Sequence, residues 1–225
     1  NFKSLLEGEM LQFNRMLYEM PCVKAVPTFN MEKKNEGFKT ASKVQYVASG
    51  GCFEKEGQEY TGALKVLKTI FSYDYLWVNV RVTGGAYGCM CSFSRNGYGF
   101  FTSYRDPNLS ATLDVYKKAA EYVRNFEAGQ RDMTKYIIGT ISGIDQPLEP
   151  AALGDRSFHA YQSGVTVEMI QKERNQVLDA TEETIHSLAG YIETMMDAGT
   201  VCAIGNDRKL EEEKELFKQV SSLTQ

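Results

Sequence analysis

The sequence predicts an α+β fold in which helices cover an antiparallel sheet. Three observations predict it. Short β-type runs cluster in the first half, at 44–49, 87–95 and 98–104. Amphipathic stripes at three- and four-residue spacing fill the second half from Leu109 onward. No repeat, low-complexity tract or linker divides the 225 residues. The chain therefore reads as one domain, with 1–37 a helical lead-in and loop and 38–225 the α+β body.

Each element has its own signal. Phe2, Leu5, Leu6, Met10, Phe13, Leu17 and Met20 mark an amphipathic helix that Pro21 ends. The strand over 44–49 should stop at Gly50-Gly51, and Leu64, Leu67 and Phe71 begin a helix. Propensity alone makes 76–82 a strand, because of its three valines. The strands 87–95 and 98–104 join at Asn96-Gly97, a hairpin turn whose residues tolerate positive φ. Asp106-Pro107-Asn108 starts a helix with Leu109, Leu113, Tyr116, Ala120, Val123 and Phe126 on one stripe. Further helices are expected at 132–141, 151–161, 166–178 and 179–196, the last opened by a capping box of Asp179 and Glu182. A short strand over 200–204 precedes a charged final helix running through Leu216 and Val220.

Composition narrows the function. With 25 basic and 29 acidic side chains the formal charge is −4, which argues against a nucleic-acid surface and against an anionic membrane. No apolar run approaches the roughly 20 residues of a membrane span. Five cysteines, Cys22, Cys52, Cys89, Cys91 and Cys202, follow no disulfide or zinc spacing. They read as free thiols in the cytoplasm or another reducing compartment. Asn108-Leu109-Ser110 is then a chance glycosylation match. The opening Asn1-Phe2-Lys3 has no initiator Met and points to a piece of a longer chain.

Catalytic signatures are scarce. His159 and His186 are the two histidines, and neither lies in a paired zinc motif. Glu183 and His186 share a helical face, but no third ligand is within sequence reach. There is no G-x-S-x-G elbow and no cysteine-protease signature. The unusual segment is R-V-T-G-G-A-Y-G at 81–88, where small residues allow a backbone to approach closely beside a cation and a phenol. It reads either as a tight turn or as a ligand-facing loop, and it lacks the phosphate-loop patterns.

R-V-T-G-G-A-Y-G, then S-Y-R-D-P-N-L, and the closing A-I-G-N-D-R-K-L-E-E-E-K-E-L-F together resemble the C-terminal part of presequence-protease-like enzymes. These are zinc metallopeptidases of the pitrilysin/insulinase family. The resemblance runs from about Ala63 onward and implies the metallohydrolase domain fold of that family. It implies a two-halved chamber that degrades short unstructured peptides. The zinc would be held by an N-terminal half of the same polypeptide, and none by this chain. Arg81 and Tyr87 match the positions that reach across to substrate and stabilise the tetrahedral intermediate, with Gly84, Gly85 and Ala86 alongside. The resemblance also makes 75–82 helical despite its valines. A non-catalytic scaffold of the same fold is the alternative.

Overall fold

The computed structural model describes residues 2–18, 28, 32–55 and 58–223. Two units separate, 1–32 and 33–225. In the first, α1 (Phe2–Tyr18) is the helix the spacing predicts. Met10 and Phe13 of its expected apolar stripe are exposed. Met20, Pro21 and Cys22 lie outside the described residues.

Among the described residues the second unit is built on six strands: β1 (Glu36–Thr40), β2 (Gln45–Cys52), β3 (Gly88–Phe93), β4 (Tyr98–Asp106), β5 (Thr200–Asn206) and β6 (Gln219–Ser222). Their order is β3-β4-β2-β5-β1-β6. The four from β3 to β5 pair antiparallel, as the sequence predicts. β1 departs from that pattern, pairing parallel with both β5 and β6. Side chains alternate across the sheet. Val47, Cys91, Phe101 and Ala203 are buried on one face, whereas Tyr46, Met90, Phe100 and Ile204 are exposed on the other.

The buried face is covered by α2 (Ala63–Ile70), α3 (Ser110–Arg124) and α8 (Ala189–Asp197). Leu64, Leu67, Ile70, Leu113, Tyr116 and Ile192 supply the core, each at most 3% exposed. Around them lie α4 (Gln130–Ile144), α5 (Pro150–Gln162), α6 (Val167–Leu178), α7 (Glu182–Ser187) and α9 (Asp207–Glu212). α2 continues into two π-helical stretches, Phe71–Tyr75 and Trp77–Thr83, so the segment with three valines is helical and widened. Strand propensity loses here because Phe71, Leu76 and Val80 face the core at helical spacing.

Several boundaries differ from expectation, each for a visible reason. β2 runs through Gly50 and Gly51 instead of stopping, because both pair with β4, and glycine is needed at 51, where a Cβ would meet the Met195 carbonyl oxygen at 2.5 Å. These glycines admit a neighbouring backbone. In the hairpin only Gly97 takes positive φ, at 79°, and the turn spans Ser94 to Gly97. The capping box forms between Thr181 and Thr184, since Asp179 ends α6 and the Glu182 carboxylate accepts from the Ala128 N–H at 2.8 Å. The helix expected over 179–196 breaks at Leu188. The final helix stops at Glu212, and 219–222 becomes a strand because it completes the sheet beside β1. β1 itself lies across the boundary expected at 37/38.

Candidate functional site

Two of the three motifs that carry the resemblance, at 81–88 and 103–109, meet in space. The widened helix ends at Gly84, whose N–H donates to the Asn79 carbonyl five residues back at 3.0 Å. Such i→i+5 turns recur at functional sites. A Cβ at Gly84 would lie 2.6 Å from the Val80 carbonyl oxygen, so no side chain fits there. Gly85 has φ +80°, a conformation in which glycine is unstrained. These two residues turn the chain out of the helix and into β3.

The second motif anchors that turn. The Asn108 side-chain amide donates to the Gly84 carbonyl at 2.6 Å. The Tyr87 N–H is shared between the carbonyls of Tyr104, at 3.1 Å, and Arg105, at 3.3 Å. Buried Asp106 fixes the motif from below, accepting from the Asn108 N–H at 2.8 Å and the Thr112 hydroxyl at 2.7 Å. Asn108, which the sequon match leaves without a role, is thus an internal strut.

Arg81 and Tyr87 are brought together by this turn. The Arg81 Nε donates to the Tyr87 carbonyl at 3.0 Å, and the guanidinium lies 3.8 Å above the Trp77 ring, within cation–π range. Tyr87 is 65% exposed, its ring set edge to face against Tyr104 at 5.5 Å. Of the neighbouring positions expected to face substrate, Gly85 is exposed and Gly84 is half-buried with its carbonyl already engaged. Ala86 departs from that expectation: it is 3% exposed, and its methyl belongs to the core. Trp77, Arg105 and Asn108 complete the arrangement, and sequence reasoning missed them. Trp77 leaves one signal, its position four residues before Arg81.

The pair stands on an open surface. A groove of about 490 Å³ between the widened helix and α3 is lined by Tyr75, Asn79, Asp114 and Tyr122, among others, and includes neither Arg81 nor Tyr87. Burial holds the nearby thiols toward their protonated form. Burial pushes Cys91 up to about 12, and burial also raises Cys89, against the opposing charge of Arg81. The four described cysteines are free thiols.

Among the described residues no three His, Cys, Asp or Glu side chains gather where they could hold a metal. His186 Nε2 lies 2.6 Å from the Phe126 carbonyl oxygen and so donates to the backbone. These residues do not fit a zinc ion. Among the described residues no helix is long and apolar enough to cross a membrane.

Comparison with solved structures identifies the class of fold. The structure described as a peptidase M16 inactive domain from Pseudomonas fluorescens superposes with a TM-score of 0.64 at 15% identity, covering 91% of this chain and 51% of that one. Pitrilysin superposes with a TM-score of 0.56 at 12% identity, over 77% of this chain and 20% of its own. The fold is thus that of pitrilysin-type peptidase domains. Residues 35–207 match the family model described as the PreP C-terminal domain, and the chain belongs to that family. It is 42% identical to protein HypA of Clostridium perfringens over 223 residues, 99% of this chain and 22% of that protein. It is 36% identical to presequence protease 1, chloroplastic/mitochondrial, of Arabidopsis thaliana over 174 residues, 77% of this chain and 16% of that protein. The chain thus spans about a fifth of the length of these relatives.

Proposed function

We propose that this chain is the C-terminal domain of a zinc endopeptidase that degrades short unstructured peptides in a closed chamber, and that it supplies Arg81 and Tyr87 to the substrate. Zinc and general base would come from an N-terminal half of the same polypeptide. Relatives that are presequence proteases support the reaction class.

The observation that carries the reading is the Arg81–Tyr87 pair itself. A phenol with no core function stands 65% exposed on a backbone fixed at both ends, with a guanidinium tied to its own carbonyl. A positioned phenol can donate to a carbonyl oxygen as negative charge develops on it, and the guanidinium can hold that carbonyl beforehand. Such donors act most strongly where water is excluded. This pair lies open, so the arrangement fits a site closed by a second surface. A scaffold of the same fold has no use for an exposed phenol and a half-buried cation so firmly positioned.

The test uses the full-length protein and an unstructured peptide. Tyr87→Phe should lower kcat and kcat/KM together, by roughly 10²–10³-fold as for the loss of an oxyanion donor, with little change in melting temperature. Arg81→Ala should also raise KM. Wild-type turnover in Tyr87→Phe with a lowered melting temperature would return Tyr87 to a structural role and favour the scaffold.

A further inference from the structure

Arg105 breaks the in–out alternation of β4. Ser103 is buried and Tyr104 half-buried toward the open face, so the next side chain should return to the core. Arg105 is exposed instead, and Asp106 takes the core position. The strand register supplies the cause. Gln45 opposes Asp106 and Val47 opposes Ser103, so Tyr104 and Arg105 together face Tyr46 alone. This is a β-bulge. Arg105 carries it at φ +49°, and among the described residues it is the one non-glycine with positive φ. Glycine would fill that position without strain. Strain of this kind persists where the surroundings hold it, and it concentrates at functional sites.

Two products of the bulge converge on Tyr87. The Arg105 carbonyl accepts from the Tyr87 N–H at 3.3 Å. The guanidinium carbon lies 5.7 Å from the centre of the Tyr87 ring and 5.5 Å from that of Tyr104, close enough for cation–π attraction to both. The exposed phenol is therefore held through its backbone, through the edge of Tyr104 and by a cation near its ring.

We infer that Arg105 is a positioning residue for Tyr87, fixing the phenol before substrate arrives. The inference rests on the reading of Tyr87 as a donor to the peptide carbonyl. Preorganisation is what the strained arginine achieves and a glycine there would not.

Arg105→Gly in the full-length protein isolates the side chain, because glycine retains the left-handed backbone. Melting temperature should stay the same or rise. Turnover of an unstructured peptide should fall about twofold to fivefold, the rate equivalent of one exposed cation–π contact, with KM nearly unchanged. Arg105→Lys should recover part of the loss. In a Tyr87→Phe background, Arg105→Gly should cost almost nothing further, since no hydroxyl remains to be placed. Equal losses in both backgrounds, or a lowered melting temperature, would make Arg105 merely structural and overturn the inference. Wild-type turnover in Arg105→Gly beside a crippled Tyr87→Phe would overturn the inference alone. Wild-type turnover in Tyr87→Phe, or a full-length protein without peptidase activity, would overturn the underlying reading and the inference with it.

Discussion

The side-chain amide of Asn108 donates to the carbonyl of Gly84 across 2.6 Å, joining two turns 24 residues apart in sequence. One turn ends the widened helix that carries Arg81, and the other leads from β4 into α3. The bond therefore sets the register between the segment that presents Tyr87 and the strand against which its ring rests.

Asn108→Ala should lower stability by about 1–2 kcal/mol, because a half-buried carbonyl loses its donor. That corresponds to a fall in melting temperature of roughly 2–8 °C for a chain of this size. Asn108→Asp should lose as much, although it keeps the shape, because a carboxylate only accepts. Thermal unfolding of both variants separates the hydrogen bond from packing. Full stability in Asn108→Asp would show that the bond contributes nothing.

The same glycine-to-alanine change should have opposite signs at two positions. At Gly84 the new Cβ would lie 2.6 Å from the Val80 oxygen and 2.9 Å from that of Asn79, both backbone atoms that cannot swing away. Gly84→Ala should destabilise by about 1–3 kcal/mol. Gly154 lies inside α5, and an alanine methyl there would meet nothing within 4 Å. The helix gains at that position, and Gly154→Ala should stabilise by roughly 0.5–1 kcal/mol. Denaturant unfolding of the two variants checks both signs.

Glu173 holds α6 to the hairpin, accepting from Arg95 at 2.5 and 2.8 Å while Lys65 stands 2.8 Å away. Burial pushes its carboxyl up, but the hydrogen bonds from Arg95 and Lys65 outweigh burial and hold it below the ordinary carboxylate range. A lowered folded value means that this stabilisation is complete above the unfolded value and disappears as pH falls through the folded one. Glu173→Gln should cost about 1–3 kcal/mol at pH 7, less than a fully buried pair because the Arg95 side chain is 39% exposed. Urea unfolding should show the gap between wild type and variant closing as pH falls below about 4, the ordinary range of a glutamate. A gap that stays constant with pH would mean that Glu173 acts through shape.

Much of the site is legible in the sequence because its signals are local. Asn96-Gly97 announces its hairpin, and Gly84 and Gly85 announce a turn, through conformations that only a few residue types favour. Arg81 and Tyr87 stand out through the motif around them, and the turn brings them into contact. Trp77 and Arg105 escape sequence reasoning for a different reason. Nothing in the S-Y-R-D-P string shows that its arginine sits on a bulge, because a bulge is a mismatch between two strands and belongs to neither alone.

Periodicity and turn chemistry act over a few residues, so the α+β class, the hairpin and the positions of most helices can be read from the amino acids alone. The far edge of the sheet cannot. β1 and β6 are short and poor in β-branched residues, and they become strands by pairing in parallel across about 180 residues of chain. The widened helix is settled in the same way, by the core under Phe71, Leu76 and Val80 against the strand preference of its valines. Folding in three dimensions is also what places Arg105 and Asn108 around the Gly84–Tyr87 turn, because their partners in that turn, Tyr87 and Gly84, lie 18 and 24 residues away along the chain.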